Sequence, residues 1–488
     1  MVADYPAHRM QLCVDTEPHI AESPLKWCAV SLSDVMSRGR RLEASVFDVE
    51  AKQARERVVH GKYGCIPLCG EQGLVDTAYY PGRFKRVYCE KDAGVAFYLP
   101  SQMTEIYPKA EKYISPLTNC DFSALRLKPN TLLLTRSGTI GRVSYVSKTL
   151  EGCVYSDDVI RITFKNSYDL GYVYTYLKSK TGNIILQTNG YGSVITHLEP
   201  EHLTEIQVPA APAALRQRIN FLIEESYALR DESNALLDEA SELLARGLQL
   251  PDIQDFLKTD GPVSTFGVKL SRMALRLDAS YHVPAAAAIA AHLKRHAAQV
   301  TTVGDSRISR AVILPGRFKR IYVREEYGVT FFSGKNIGEL DPCDKRYLSF
   351  SQHDRKIREE LTISENMILV TCSGTVGHVA LVPKHWDGWA MTHDIIRYIP
   401  QDDMVGYVYV WLSSGYANVL LQAQAYGSVV QHIEREHFME IPVPLLRDRE
   451  VQRKIHDLAL EANAKRYEAY KLEQEALRMM DDEVIAAK

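Results

Sequence analysis

The chain has 488 residues, of which 46% are hydrophobic, with 58 Lys and Arg against 61 Asp and Glu and a formal net charge of −3. This balance is typical of folded domains and excludes a disordered chain. The length predicts two or three domains. The net charge excludes a globally basic surface, so nucleic-acid binding would need local clusters of Lys and Arg.

The cysteines and the N-terminal residues indicate the cellular compartment in which the protein is expected. Nine cysteines are scattered along the chain, and the closest pair, Cys65 and Cys69, has no second pair or His cluster to complete a zinc site. Reduced thiols fit the cytoplasm. The start of the chain contains no apolar signal core, and no uninterrupted apolar run is long enough to span a bilayer. We therefore expect a cytoplasmic protein that does not enter a membrane.

The sequence contains one long internal repeat. PGRFKRVY, which begins at Pro81, returns as PGRFKRIY at Pro315. Four further pairs recur in matching order at nearly the same offset. RLEAS and RLDAS precede the PGRFKR pair, and TRSGTIGRV and TCSGTVGHV, GYVYTYL and GYVYVWL, and YGSVITHLEPEHLTEIQVP and YGSVVQHIEREHFMEIPVP follow it. This unit is far longer than a solenoid repeat, so each copy predicts a domain plus an extra element. Two copies of one fold suggest a pseudo-two-fold arrangement.

Each copy predicts the same elements in chain order. TLLLTRSGTIGRVSYV predicts a strand, a Ser-Gly-Thr turn and a second strand. VIRITF and DIIRYI predict further strands, while GYVYTYLKSKTGNIILQ and GYVYVWLSSGYANVLLQ favour helix. EIQVP and EIPVP predict a short closing strand with a proline stop. The pattern indicates an α+β domain.

The end of each copy has a heptad pattern. Apolar or small residues recur at alternating spacings of four and three from Leu215 to Leu243, and again from Val451 to Met479 with Lys465 as an interruption. Each segment predicts a helix of about 45 Å. A surface helix on its own domain and a homodimer zipper are alternatives. Small and charged residues in the pattern favour pairing of the two helices within one chain, antiparallel if a two-fold axis relates the halves.

The sequence therefore predicts an α+β protein with two similar domains in a pseudo-two-fold arrangement, joined by two long antiparallel coiled-coil helices. The expected boundaries are an N-terminal extension at 1–26, the first domain at 27–210, the first helix at 211–250, the second domain at 251–445 and the second helix at 446–488.

No catalytic motif is visible in either copy. The chain lacks NPPY-type and DPPY-type tetrapeptides, GxxxxGK[ST], HExxH and GxSxG. Acid-x-Lys strings such as Glu50-Ala51-Lys52 occur, but neither copy repeats one at the matched position. An undetected nuclease remains an alternative, whereas the repeated absence of motifs favours a protein without an active site.

Cations follow a Pro-Gly turn in both copies. Three cations with an aromatic residue between them suit a phosphate backbone, and an arginine can also read guanine. A solvated loop is the alternative, but repetition in two diverged copies favours a DNA-contact role. The predicted contacts are Arg83, Lys85 and Arg86 in the first copy and Arg317, Lys319 and Arg320 in the second.

Two further motifs supply polar side chains. The Ser-Gly-Thr turn offers hydroxyls for close approach to DNA, although Gly138 and Gly374 are explained equally well by a tight hairpin. Around this turn the copies differ, with Arg136 against Cys372 and Arg142 against His378, which predicts half-sites of different sequence. The remaining candidate DNA contacts are Arg136, Ser137, Thr139, Arg142, Tyr191 and Ser193 in the first copy, and Ser373, Thr375, His378, Tyr426 and Ser428 in the second.

The ordered motifs resemble the specificity subunit of type I restriction-modification systems. The resemblance begins with W-x-x-V-x-L-x-D-V from Trp27 to Val35, continues through the motifs above and includes Q-x-x-I, from Gln452 to Ile455, at the start of the second heptad segment. The two copies are more alike than is usual in that family, and residues 1–26 have no counterpart.

The resemblance implies two target-recognition domains, each reading half of a split double-stranded DNA site, with the helices as spacers. It also implies two partner methyltransferase subunits that use S-adenosylmethionine and flip out an adenine, and an ATP-dependent restriction subunit. No cofactor is then expected in this chain. A reader in a type IIB-like or other phage-defence complex, a nuclease and a coiled-coil scaffold are the alternatives.

Overall fold

The computed structural model describes residues 29–37, 40–192, 196–258, 265–273, 275–343 and 345–487. The extension at 1–26 lies outside the described residues. We call residues up to 258 the first half and those from 265 the second half. In each half, the part outside the long helix is called the head.

The first head combines short strands and helices. Its helices are α1 (Leu32–Ser37), α2 (Val49–Val59), α3 (Phe122–Leu125), α4 (Asp169–Lys178) and α5 (Lys180–Thr188), and α6 (Ala213–Gly247) is the long helix. Its strands are β1 (Cys65–Pro67), β2 (Val75–Tyr79), β3 (Tyr88–Cys89), β4 (Val95–Tyr98), β5 (Lys112–Ile114), β6 (Leu132–Thr135), β7 (Val143–Tyr145), β8 (Val154–Tyr155), β9 (Val159–Phe164) and β10 (Gln207–Pro209).

The second head repeats this set of elements. Helix α7 (Ile253–Leu257) follows α6 at the end of the first half. The helices of the second head are α8 (Pro284–His296), α9 (Phe350–Lys356), α10 (Val405–Leu412), α11 (Gly415–Gln424) and α12 (Arg435–Met439), and α13 (Arg449–Met479) is the long helix. Its strands are β11 (Gln299–Thr302), β12 (Ser309–Ile313), β13 (Tyr322–Val323), β14 (Gly328–Phe332), β15 (Arg346–Ser349), β16 (Ile368–Thr371), β17 (Val379–Leu381), β18 (Ala390–Met391), β19 (Ile395–Pro400) and β20 (Pro442–Leu445).

The sheets have the same strand order in both heads. One four-stranded antiparallel sheet runs β2-β9-β6-β7 in the first head and β12-β19-β16-β17 in the second. A smaller sheet runs β3-β5-β4-β8 and β13-β15-β14-β18, and its last pair is parallel. A two-stranded sheet joins β1 to β10 and β11 to β20. The mixed helix and strand content expected from the sequence is confirmed.

The central strands are buried on both faces because they lie between two hydrophobic layers. Leu132 and Leu134 of β6 point to the core formed with α4 and α5, while Leu133 points to the core under the smaller sheet. Alternate residues of one strand face opposite sides, so a continuous apolar run such as LLL fits this position. In β16 of the second head, Ile368 and Leu369 likewise point to two different hydrophobic cores.

Each GYVY segment was expected to form one helix, but it forms two: α4 and α5 in the first head, and α10 and α11 in the second. In the first head, the Ser179 side chain accepts a hydrogen bond from the Gly182 amide and begins α5 directly after α4. In the second head, Ser414 accepts from the Ala417 amide. A serine cap starts a new helix axis, which the apolar spacing did not reveal.

The long helices α6 and α13 pack side by side and antiparallel. Lys454 pairs with Glu239 at 2.6 Å and Lys465 with Glu232 at 2.7 Å, so contacts move backward along α6 as they move forward along α13. Ser226 is fully buried and donates to the Ala469 carbonyl oxygen at 2.7 Å. Small residues permit this close approach, and Lys465 lies at the edge, where it reaches a carboxylate.

Each long helix ends in the core of the opposite half. Leu237, Ala240 and Leu244 of α6 belong to the core of the second head. Ala476 and Met479 of α13 belong to the core of the first head. Because each helix is buried at its far end in the other head, the pair fixes the two heads relative to one another.

The heads also touch directly at equivalent positions. Glu105 and Glu339, which occupy matching positions of the two copies, form an antiparallel bridge, and the Ile106 amide donates to the Gly338 carbonyl at 2.8 Å. A two-fold axis brings equivalent residues together in this way. Within the described residues, no helix is long and apolar enough to cross a bilayer.

Candidate nucleic-acid interface

In each of the two PGRFKR loops, two cations are exposed and the third is hydrogen-bonded to its own head. Arg83 and Lys85 are exposed and have no hydrogen bond or ion pair to the described residues. Arg86 turns inward, and its Nη2 donates to Asp157 Oδ1 at 2.7 Å and to Ser156 Oγ at 3.0 Å. The exposed pair can meet a polyanion, while Arg86 anchors the loop to the turn before β9.

The second loop follows the same plan with a different anchor. Arg317 and Lys319 are exposed, and Arg320 Nη2 donates to Thr392 Oγ1 at 2.9 Å and to His393 Nδ1 at 3.2 Å. Burial lowers the pKa of His393, which favours the neutral ring that can accept this bond. His393 therefore replaces the carboxylate of Asp157 as the anchor.

The predicted Ser-Gly-Thr turn is confirmed in both heads, where β6 pairs with β7 and β16 with β17. Gly138 has φ +77° and Gly374 has φ +76°, with open space where a side chain would lie, so the backbone conformation itself requires glycine. Thr139 and Thr375 are exposed at the tips. Each turn therefore presents one threonine outward.

Other side chains of the first turn are already engaged. Ser137 Oγ lies 2.9 Å from His197 Nδ1 and 3.1 Å from Asp158 Oδ1. Arg136 is only 5% exposed, pairs with Glu199 at 2.5 Å and stacks over Tyr80 at 4.1 Å. Arg136 is therefore held in a buried ion pair with Glu199, and its contact with DNA stays a prediction. The difference between Arg136 and Cys372 lies beneath the surface, since Cys372 is also buried.

Arg142 and His378 lie between the two halves. Arg142 Nη1 pairs with Glu339 Oε1 of the second half at 3.1 Å, and its side chain is 12% exposed. His378 Nε2 lies 3.7 Å from Glu111 Oε1 of the first half. Both were expected to face DNA from their own head. The structure places Arg142 in an ion pair that joins the halves and leaves His378 half-exposed.

The YGS loops are fixed by residues whose role the sequence did not reveal. Arg41 of RLEAS donates to the Asn189 and Gly190 carbonyls, and Arg276 of RLDAS donates to the Ala425 carbonyl at 3.1 Å. A guanidinium suits carbonyls at the end of a helix. The repeat of RL-x-AS at the common offset was the available signal, but it did not indicate this partner.

The tyrosine hydroxyls of these loops donate to glutamates that follow eight residues later in the chain. Tyr191 donates to Glu199 at 2.9 Å and Tyr426 to Glu434 at 3.1 Å. Ser428 is exposed in the second loop, whereas Ser193 lies outside the described residues. The tyrosine hydroxyls therefore hold the loops in place, and Ser428 remains an outward hydroxyl.

A cavity of about 850 Å³ brings part of the predicted site together. Its lining contains Arg320, Ser373, Thr375 and His378 of the second head. The cavity also contains residues of the first half that sequence reasoning missed: Glu105, Tyr107, Lys109 and Glu111. The match of EIYPKAEKYI at Glu105 to ELDPCDKRYL at Glu339 was the signal that could have singled them out.

The described residues contain no group of three or more His, Cys, Asp and Glu side chains that could hold a metal ion. The candidate site contains exposed cations, hydroxyls, backbone groups and a few carboxylates. These groups can bind phosphates and the donor and acceptor edges of bases.

No protein-family model and no curated protein matches the chain. Solved structures of type I restriction-modification proteins are similar to it over most of both chains. The S subunit from M. genitalium has 13% identity and a TM-score of 0.28, covering 86% of this chain and 98% of that one. The HsdS subunit from Thermoanaerobacter tengcongensis has 12% identity and a TM-score of 0.26, with 84% and 98% covered. A structure described for complex assembly and conformational transition of the type I R-M system has 12% identity and a TM-score of 0.27, with 83% and 98% covered. These identities and TM-scores are low.

Proposed function

We propose that this chain is a non-catalytic subunit that reads a two-part DNA sequence for a type I restriction-modification complex. The observation that carries the proposal is the pair of equivalent heads, each exposing two cations and a Ser-Gly-Thr turn, held together by antiparallel helices buried in the opposite heads. Residues 27–210 and 251–445 are the proposed target-recognition domains, and 211–250 and 446–488 the spacers.

The exposed cations and the turn tips have separate roles in this proposal. Arg83 and Lys85, with Arg317 and Lys319, bind phosphates and supply most of the salt-dependent affinity. Thr139 and Thr375 at the turns, with Ser428 beside the second turn, approach base edges or the sugar-phosphate backbone. Short polar side chains suit such close approach.

The long helices set the distance between the half-sites. Helices of 35 and 31 residues extend about 52 and 47 Å at 1.5 Å per residue. That length corresponds to roughly 14 or 15 base pairs at 3.4 Å each. Two readers at this separation suit two short half-sites with an unread gap between them.

A reader without an active site needs catalytic partners. The resemblance found in the sequence points to two DNA methyltransferase subunits that carry S-adenosylmethionine and to an ATP-dependent restriction subunit. The spacer helices are the proposed docking sites for the methyltransferases. The same reader in a type IIB-like or another defence complex would use the same heads with different partners.

Selection from a pool of randomised DNA duplexes tests the proposal. The purified chain, alone and with any DNA methyltransferase that copurifies with it, should enrich two short sequences at one constant spacing. It should leave the DNA uncut in the presence of Mg²⁺. Enrichment of no sequence, or cleavage by the purified chain alone, would contradict the proposal.

A double variant tests the phosphate contacts. Arg83→Ala with Lys85→Ala should weaken binding to all sequences alike and reduce the dependence of affinity on salt by about two phosphate contacts. Lys128→Ala is the control. Lys128 is exposed and precedes β6, at the end of that strand away from the Ser-Gly-Thr turn. Equal losses in the two variants would place the contact surface elsewhere.

A further inference from the structure

A segment of the first half completes the cavity of the second head. The segment 104–112 crosses to the second half through the Glu105–Glu339 bridge. Beyond the bridge, Lys109 Nζ donates to the Ser413 carbonyl at 3.4 Å, and Glu111 faces His378. The turn tip Thr375 and Glu111 therefore line one cavity although they come from different halves.

The two ionisable side chains that meet here retain unused hydrogen-bonding capacity. The Glu111 side chain is 52% exposed and the His378 side chain 47% exposed, and their closest atoms are 3.7 Å apart, beyond a hydrogen bond. Neither group is therefore held by the other as Arg86 is held by Asp157. Both can engage a ligand that enters the cavity beside the second turn.

The equivalent segment in the second half has different side chains and a different arrangement. The offset that relates Glu105 to Glu339 matches Glu111 to Lys345 and Lys109 to Cys343. Lys345 folds back on its own half, where it pairs with Asp341 and lies 4.8 Å from the Trp389 ring centroid. The two heads therefore receive different groups from the opposite half.

We propose that Glu111 helps the second head read its half-site, so that this half-site is recognised by a composite surface built from both halves. The inference rests on the proposed function and names a specificity residue for it. A carboxylate beside DNA repels phosphates, but it accepts a hydrogen bond from the amino group of cytosine or adenine in the major groove. The half-site of the second head then contains a base with an exposed amino group opposite Glu111.

A composite surface changes the DNA sequence that is recognised after one head is replaced by another. If each head read DNA alone, replacing the first head would change one half-site only. Because 104–112 belongs to the first half and lines the second cavity, replacing the first head changes one half-site completely and alters one position of the other. Specificity in this chain is then not fully modular.

Selection from randomised duplexes with the full chain tests the role of Glu111. Thr375→Val first identifies the half-site of the second head, since Thr375 lies at its turn. Glu111→Gln and Glu111→Lys should then change base preference by about tenfold at one position of that half-site, the size expected for one good base contact. The other half-site should stay unchanged. Glu151→Gln is the matched control, an exposed glutamate of the first half outside the cavity lining.

The outcomes separate this inference from the proposed function. Unchanged preference in both Glu111 variants, with a change in Thr375→Val, would overturn the composite surface and leave the reading function intact. A change confined to the half-site of the first head would also overturn it. Failure of the wild-type chain to select any sequence would instead overturn the proposed function.

Discussion

At the scale of single residues, Arg161 and Arg397 are buried arginines that pair with no carboxylate among the described residues. Arg397 donates to the carbonyls of Ile395 at 2.6 Å and Met391 at 2.7 Å, and also to that of Leu361. Burial lowers the pKa of Arg161 to about 10 and of Arg397 to about 9, so both stay protonated at neutral pH. Each guanidinium therefore links the four-stranded antiparallel sheet of its head to the turn that precedes β9 in the first head or β19 in the second.

Replacing Arg397 with methionine should destabilise the protein by at least about 3 kcal/mol, because several buried carbonyls lose their donors. The free energy of unfolding in urea measures the effect. Arg324→Met, at an exposed position of the same head, should stay within about 0.5 kcal/mol of the wild type. Similar values for the two variants would show that the carbonyls find other donors.

The raised pKa of Glu105 predicts that the stability of the folded chain depends on pH. Burial, together with Glu111 and Glu339, raises the pKa of Glu105 to about 7, while Arg142 pairs with Glu339 and His378 faces Glu111. The folded chain then binds a proton that the unfolded chain has released, so stability falls as pH rises from about 4.5 to about 7. The fall in unfolding free energy between pH 5.5 and 7.5 should be smaller in Glu105→Gln. An unchanged fall would show that other groups cause it.

The sequence could identify cationic motifs but not the exposure of each cation. Arg83 and Arg136 both lie in repeated motifs, yet one is exposed and the other is enclosed by Glu199 and Tyr80. Glu199 is 63 residues from Arg136 along the chain. Only the folded chain brings such a partner into contact.

At the scale of elements, the pairing of α6 and α13 includes a fully buried charge. Glu473 is 0% exposed, with Lys178 at 2.8 Å and Arg230 at 3.1 Å, and it accepts a hydrogen bond from the Tyr174 hydroxyl. Burial alone would raise the pKa of Glu473, but Lys178 and Arg230 hold it well below its usual value. The equivalent position in α6, Asp238, is exposed. In the part of the chain that the structure describes, the buried cluster is therefore found at the Glu473 end of the helix pair and not at the Asp238 end.

Replacing Glu473 with leucine should cost about 3 to 5 kcal/mol, because two buried cations lose their counter-charge. Asp238→Leu at the equivalent exposed position should cost about 1 kcal/mol or less. Unfolding in guanidinium chloride measures both. A combined Glu473→Leu, Lys178→Met and Arg230→Met variant should recover much of the loss, and failure to recover would show that packing rather than charge is responsible.

The elements themselves were largely predictable. The heptad spacing identified both long helices, and the strand-turn-strand pattern identified β6 with β7. The break between α4 and α5 was not predicted, since it depends on Ser179 acting as a cap rather than on apolar spacing. The buried position of Glu473 was not predicted either, because its partners Lys178 and Arg230 lie in the other half.

At the scale of the whole molecule, two kinds of contact fix the separation of the heads. Each long helix is buried in the opposite head, and the heads meet at the Glu105–Glu339 bridge. The repeat predicted two like halves. The direct contact between heads, and the cavity that it creates, could not be predicted because they depend on where the two-fold axis falls.

The central claim is that one chain reads two half-sites at a fixed spacing, and the gap between them tests it directly. Duplexes carrying both selected half-sites, with the gap lengthened or shortened one base pair at a time, should be compared by equilibrium binding. Two base pairs change the separation by about 7 Å and the rotation by about 70°, so affinity should fall at least about tenfold. Equal affinity across a range of gaps would contradict the account.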